Sequence, residues 1–269
     1  MYWNVFKRSL ILKLFITSPL FVIISCGGEK DSAVVENPSK GEKLSFSEKI
    51  ARQVENDLSI AATEEYDLRI IKEYIDNDTL EDALILVNRE EWSKEKLKKS
   101  VNKSFTEKTG NAGFYNNVFV KLGSQDELLK TPAIGSAPDF KLTSEFLTLT
   151  SQASKDFYVN YKIRNSMHRN YYTVRNNRLY LTFSCPVFDS IGEGNPRVYA
   201  IEHKESSVRI SKDIAMYKGK IAGYDPDKIE NPETYIPQEI IPTDELIFYF
   251  IFDDKSMKYT TPMMPKKVE

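Results

Sequence analysis

Tyr171-Tyr172-Thr173-Val174-Arg175-Asn176-Asn177-Arg178-Leu179-Tyr180-Leu181-Thr182-Phe183 is the stretch that decides the fold class. Leu179, Leu181 and Phe183 alternate with Tyr180 and Thr182, the period of two that sends successive side chains to opposite faces of a strand. Tyr171–Val174 is a second run of aromatic and β-branched residues. Asn tolerates the positive φ of a two-residue hairpin loop, so Asn176-Asn177 reads as a tight turn between two antiparallel strands.

The same period extends outward from this hairpin. Phe157, Val159, Tyr161 and Ile163 alternate with Tyr158, Asn160 and Lys162. Val198-Tyr199-Ala200-Ile201, Val208-Arg209-Ile210 and Leu246–Phe252 follow as further strands. The last is apolar on both faces, which predicts a strand covered on both sides. Residues 140–269 therefore read as an antiparallel β-sandwich.

Toward the amino terminus the period changes. Ser45-Phe46-Ser47-Glu48 fits a helix capping box, and Phe46, Ile50, Val54, Leu58 and Ala62 recur every four residues. Ile70, Ile71, Tyr74 and Ile75 continue an apolar face. Ser93 suits the cap of a helix carrying Leu97, Val101 and Phe105 on one side. Leu80–Val87 fits a buried strand and a buried helical turn equally well. Phe114-Tyr115 and Val118-Phe119-Val120 suggest a short strand pair. Residues 45–130 are expected to be mainly helical, with 131–139 as a linker rich in turn residues. The fold class predicted is α+β, a helical region followed by the β-sandwich.

Residues 1–25 hold Lys7, Arg8 and Lys13, no acidic residue, and an apolar run from Leu14 to Ile24. That is the anatomy of a secretory signal peptide, and the run is short for a membrane span, which needs about 20 apolar residues. It ends in Ile23-Ile24-Ser25-Cys26, which resembles the lipobox of bacterial lipoproteins. The resemblance implies that a peptidase cuts before Cys26, that the Cys26 thiol carries diacylglycerol, and that its new amino group is acylated, with palmitate among the chains. Two or three acyl chains, at about 0.8 kcal/mol per buried CH₂, anchor a protein stably. Residues 26–44 then form the lipidated cysteine and a polar tether reaching roughly 20–25 Å. Loss of the leader removes three basic residues and takes the formal charge from −2 to −5. The expected membrane attachment is through lipid, not charge.

The strand-rich half also resembles the Ig-like domains of bacterial lipoproteins, through Tyr161-Lys162-Ile163-Arg164-Asn165 and the polar turn Ile241–Glu245 ahead of Leu246–Phe250. That resemblance implies a binding or spacing module.

The charge balance, 37 Lys+Arg against 39 Asp+Glu, disfavours general nucleic-acid binding, which needs a basic face. Gly135–Leu142 is similar to the opening strand of thioredoxin-like peroxidases, but no Cys-x-x-Cys follows. Cys185 ends an alternating strand, where a buried inert thiol is expected. His168 and His203 lack the spacing of zinc ligands. Asp225-Pro226-Asp227 and Asp253-Asp254 lack the ligand pattern of a calcium loop. Glu64-Glu65 and Glu90-Glu91 are adjacent carboxylates that point apart on a helix. No metal or cofactor is expected.

Tyr158, Tyr161, Tyr171 and Tyr172 with Arg164 and Arg175 are the residue types enriched at binding hot spots, and form the candidate ligand surface. The function expected is that of a lipid-anchored, non-catalytic cell-envelope protein binding a protein or glycan partner through its β-rich half. The alternatives are an envelope-assembly, secretion-system or immunity lipoprotein, or a periplasmic enzyme accessory.

Overall fold

The computed structural model describes residues 5–7, 44–99, 114–137 and 140–261. The lipobox, Cys26, the tether to residue 43, Val101, Phe105, Pro138 and Asp139 lie outside them, as do the side chains of Leu97 and Phe114. The chain divides into two compact units, residues 8–61 and residues 1–7 with 62–269.

In the smaller unit, α1 (Phe46–Leu58) has the expected capping box: the Ser45 hydroxyl accepts from the Glu48 N–H, and the Glu48 carboxylate accepts from the Ser45 N–H at 2.8 Å. The helix stops where Ser59 enters the left-handed region at φ 50°. Of the predicted stripe, Ile50 and Val54 are buried, joined by Ala51, while Phe46 is exposed and Ala62 lies beyond the helix.

The larger unit consists mostly of strands, in two antiparallel sheets. The first contains β1 (Val5–Lys7), β2 (Asp67–Glu73), β3 (Asp82–Asn88), β4 (Phe114–Lys121) and β5 (Leu128–Lys130) in that order, with β6 (Ile134–Gly135) also on β4. Helix α2 (Glu90–Lys98) lies between β3 and β4 in the chain. The second sheet is an eight-stranded meander in chain order. Its strands are β7 (Thr143–Leu147), β8 (Asp156–Ile163), β9 (Ser166–Arg175), β10 (Arg178–Asp189), β11 (Arg197–Lys204), β12 (Asp213–Ile221), β13 (Ile240–Asp253) and β14 (Lys258–Thr260).

The hairpin read from the sequence is present. Arg175 pairs with Arg178, and Asn176 and Asn177 have φ of 49° and 58°. One core joins the sheets: Leu84, Leu86, Val118 and Val120 of the first meet Phe157, Val159, Tyr172 and Val174 of the second. The Phe157 and Tyr172 rings stack there at 5.3 Å. The opposite face of the second sheet makes a core of its own. Tyr171 and Cys185 from β9 and β10 pack with Ile214, Met216, Phe252 and Tyr259 from β12 to β14. Strands so far apart in the order meet because the sheet curls, and the Lys258 ammonium donates to the Leu181 carbonyl across the gap. Strand twist of fixed hand produces such coiling.

Five expectations are corrected and one ambiguity is resolved. Residues 45–130 are not mainly helical, since β2 to β5 fall within them. The ambiguous run became β3, buried along its whole length, and a strand so covered shows no alternation to distinguish it from a helix. Ser93 is not a cap but a buried residue within α2, its N–H bonded to the Arg89 carbonyl. Residues 131–137 are not a linker: Ile134 enters the core, and Ser136 is buried against Tyr115 and Asn116. Val208 and Ile210 lie in an exposed loop between β11 and β12 instead of a strand, at 80% and 74% exposure. Leu246–Phe252 is a strand, but Leu246, Ile247 and Phe248 are exposed rather than covered on both sides.

Candidate functional site

The candidate tyrosines separate because alternate residues of a strand face opposite ways. Tyr161 and Tyr172 lie on the side of the shared core, where the Tyr161 ring stacks on His168 at 5.4 Å and Tyr172 is buried. Tyr158 and Tyr171 lie on the other side. Arg164 and Arg175 sit at hairpin turns, Arg164 with φ of 52° and Arg175 donating to the Thr150 hydroxyl. The six residues do not form one surface.

A residue outside that set organises the Tyr158 and Tyr171 side. Arg169 pairs across the sheet with Asn160 on β8 and Cys185 on β10. Its guanidinium lies 3.6 Å over the Tyr158 ring, donates from Nε to Asn160 at 2.8 Å, and approaches the Tyr171 hydroxyl at 3.4 Å. Arginine only donates, so the Tyr171 oxygen accepts from it and turns its own O–H toward His203 Nε2, 3.1 Å away. Burial, with Arg169 and Lys212 nearby, holds the His203 imidazole down to about 4, so it is neutral at pH 7 and able to accept. The Tyr158 hydroxyl donates to Glu145 on β7.

Cys185 lies in this cluster, buried, and loss of solvent pushes its thiol up to about 12 despite Arg169. Among the described residues the thiol makes no hydrogen bond, and His203 is committed to Tyr171. This is the environment of an inert thiol.

Arg169 has no carboxylate within ion-pair distance among the described residues, and its Nη2 has no hydrogen-bond partner there. A cation removed from water normally finds a counter-charge. Arg169 instead borders a cleft of about 260 Å³, walled by Val187, Tyr199, Ile201, Ile240 and Glu202. Glu202 is held by Lys204. The cleft exists because β10 and β11 pair only at Phe188–Val198 and Asp189–Arg197 and then diverge. Arg169 has a signal in the sequence only in hindsight: it stands in register with the two faces of the hairpin, but nothing local shows that β10 and β11 part beside it.

Other candidates have structural roles. Lys162 is fully buried, gives its ammonium to the Pro232 and Tyr235 carbonyls at 3.2 and 2.8 Å, and is pulled down to about 8 by loss of solvent. It pins the 229–237 loop to β8. Asp225 caps a single 3₁₀ turn, and Asp253 accepts from Lys255 and Ser256 in the β13–β14 turn. Glu64 forms a two-point ion pair with Arg89, while Glu90 and Glu91 hold Lys94. Asp76, Asp78 and Asp82 bring carboxylate oxygens within 4.8 Å of one another in the β2–β3 loop. Their oxygens are taken up by loop N–H groups of Ile75, Asp76, Asp78, Leu80 and Gly123. No helix among the described residues is long and apolar enough to cross a membrane. No protein-family model, curated protein or solved structure matches this chain.

Proposed function

We propose that the chain is a lipid-anchored, non-catalytic envelope protein that binds a protein partner through its second sheet, the partner placing a carboxylate in the Arg169 cleft. The observation that carries this reading is the Arg169 guanidinium beside an open cleft whose lining carboxylate, Glu202, is paired with Lys204 rather than with Arg169. Apolar walls at Val187, Ile201 and Ile240 suit the stem of an acidic side chain, and a charge-assisted bond to Arg fixes its head. A sugar ligand would call for an open aromatic platform. Arg169 covers the Tyr158 ring, His168 covers that of Tyr161, and Tyr171 and Tyr172 are buried, so the protein partner is favoured over the glycan.

The anchor rests on the resemblance around Cys26. On that reading, cleavage before Cys26 also removes Val5–Lys7, which pair with β2, and leaves Asp67–Glu73 at the edge of the first sheet. A pull-down from intact cells tests the partner: the full chain should capture a stoichiometric protein, and Arg169→Met, melting as the parent does, should lose it. Equal capture by both would sink the cleft as the binding site. For the anchor, Cys26→Ala should move the protein from the membrane to the soluble fraction, and unchanged partition would remove the lipoprotein reading.

A further inference from the structure

The cleft beside Arg169 touches four consecutive residues of one strand, Tyr199, Ala200, Ile201 and Glu202 of β11. Successive residues of a strand turn their side chains to opposite faces, so a cavity lying over one face meets every second residue. A cavity that meets all four runs along the edge of the strand, where the backbone N–H and C=O groups point.

The strand pairing agrees. On one side β11 pairs with β12 without a break, from Tyr199 with Lys218 to Lys204 with Asp213. On the other it pairs with β10 only at Arg197 and Val198. From Tyr199 to Lys204 no described residue pairs with that second edge. Alternate residues there turn their N–H and C=O groups away from β12 and into the cleft. An unpaired edge is a template for another strand. This one is partly withdrawn from solvent, since Ala200 is buried and its neighbours up to Lys204 are half-buried.

We propose that the cleft is a slot for strand addition: the partner segment that carries the carboxylate is extended and pairs through its backbone with the free edge of β11. This rests on the Arg169 reading above and adds the conformation and sequence of what binds. The edge from Tyr199 to Glu202 is about 13 Å long, the length of four residues of an added strand. A helix satisfies its own backbone and would leave that edge without partners.

The two faces of β11 fix the order of side chains in the segment. Arg169 contacts Tyr158 and Tyr171, which pack with Tyr199. Val187 and Ile240 pack instead with Val198, the neighbour of Tyr199 in β11 and therefore on the opposite face. The acidic residue of an added strand projects to the Arg169 face, so the residues before and after it project toward Val187 and Ile240. Those walls are apolar, and the matching segment is apolar–acidic–apolar.

The blocked peptide acetyl-Thr-Val-Glu-Val-Thr-amide is the probe, followed by NMR on the full chain at millimolar peptide. It should bind, and the cleft-facing amides of β11 should exchange about tenfold more slowly at saturation. Glutamine in place of glutamate should weaken binding at least about tenfold. Only alternate amides of an added strand face β11. Of two further peptides, one N-methylated at both valines and one at glutamate and the final threonine, one should therefore lose binding at least about tenfold and the other keep it. Equal effects of the two methylation patterns overturn strand addition, and the Arg169 reading stands if glutamine still weakens binding. Equal binding of the glutamate and glutamine peptides sinks the Arg169 reading and the inference with it. Failure of every peptide to bind overturns the inference, and partner capture by the parent and by Arg169→Met then decides the carboxylate by itself.

Discussion

The β2–β3 and β7–β8 hairpins use one device with different closures. In each, the second strand begins with a buried aspartate, Asp82 or Asp156. Each carboxylate takes through Oδ2 the backbone N–H groups of the residues seven and six positions earlier, Ile75 and Asp76 in one hairpin, Leu149 and Thr150 in the other. The carboxylate thereby satisfies the chain leaving the first strand, where no ladder partner remains. The hairpins touch through Lys155 N–H and the Ile75 carbonyl, at 2.8 Å. They differ at Oδ1. Asp82 accepts there from the Gly123 N–H at 2.8 Å, a donor that cannot reverse. Asp156 accepts from the Thr150 hydroxyl at 2.8 Å, which also has Thr173 at 3.1 Å and Arg175 at 3.2 Å within reach. Identical backbone anchoring thus leaves one site rigid and the other adaptable.

Replacing each aspartate by asparagine separates the two cases most. With the amide oxygen kept at the Oδ2 position, the NH₂ group replaces Oδ1. At residue 82 it meets a fixed N–H, and Asp82→Asn should cost about 3 kcal/mol or more. At residue 156 it meets a hydroxyl that can rotate to accept, and Asp156→Asn should cost about 1–2 kcal/mol. Urea midpoints of the two variants measure the difference. Equal losses would show that the third donor does not distinguish the sites.

Gly123→Ala attacks the rigid closure without touching the carboxylate. A Cβ at residue 123 would stand 2.6 Å from the Leu80 Cβ and 2.9 Å from the Glu81 carbonyl oxygen, so the turn must shift away from Asp82. The expected cost is about 2 kcal/mol. An unchanged thermal midpoint would mean that the loop yields freely and that Asp82 has an adaptable partner after all.

The two hairpins were unequally legible in the sequence. β8 alternates apolar and polar residues and so announces a strand, whereas β3 is buried on both faces and carries no period. β2 carries a misleading pattern, because Ile70, Ile71, Tyr74 and Ile75 also suit a helical spacing. The shared aspartates leave a trace that sequence reading passed over: Asp82-Ala83-Leu84-Ile85, Asp156-Phe157-Tyr158-Val159 and Asp213-Ile214-Ala215-Met216 each open a strand with a buried acid before an apolar run. Three such starts in a chain of 28% charged residues are lost among other acids until the ladders show which are inside. The tyrosines of the candidate site are visible one by one in the sequence, but their division between two faces follows from register. The Arg169 cleft follows from strand divergence, which has no local signature.

Acid distinguishes the sheets that hold these hairpins. Both histidines lie in the second sheet, and His203 is held down to about 4 against an ordinary value of 6.5. The unfolded chain therefore takes up a proton at a pH where the native imidazole does not. Stability from this group is complete above pH 6.5, falls as pH drops toward 4, and then levels off. The loss is about 1–2 kcal/mol after allowance for partial exposure. Amides of β9 to β12 should lose protection over that range before those of β2 to β4 do. Simultaneous loss would mean that the two sheets open only as one unit.

The smallest effect tests the adaptable closure itself. Thr150→Val keeps the shape and removes the hydroxyl, leaving Asp156 Oδ1 and Arg175 Nη2 each without a partner that they now share. Its cost should be about 1 kcal/mol, because Thr173 and water can compensate in part. The informative quantity is its coupling to the aspartates. Thr150→Val and Asp156→Asn act on one network and should depart from additivity by at least about 0.5 kcal/mol, since the rescuing hydroxyl is gone. Thr150→Val and Asp82→Asn share no partner and should add within about 0.5 kcal/mol. Coupling to both aspartates would make the two hairpins a single network joined through Lys155 and Ile75, and coupling to neither would remove the hydroxyl as the reason for their difference.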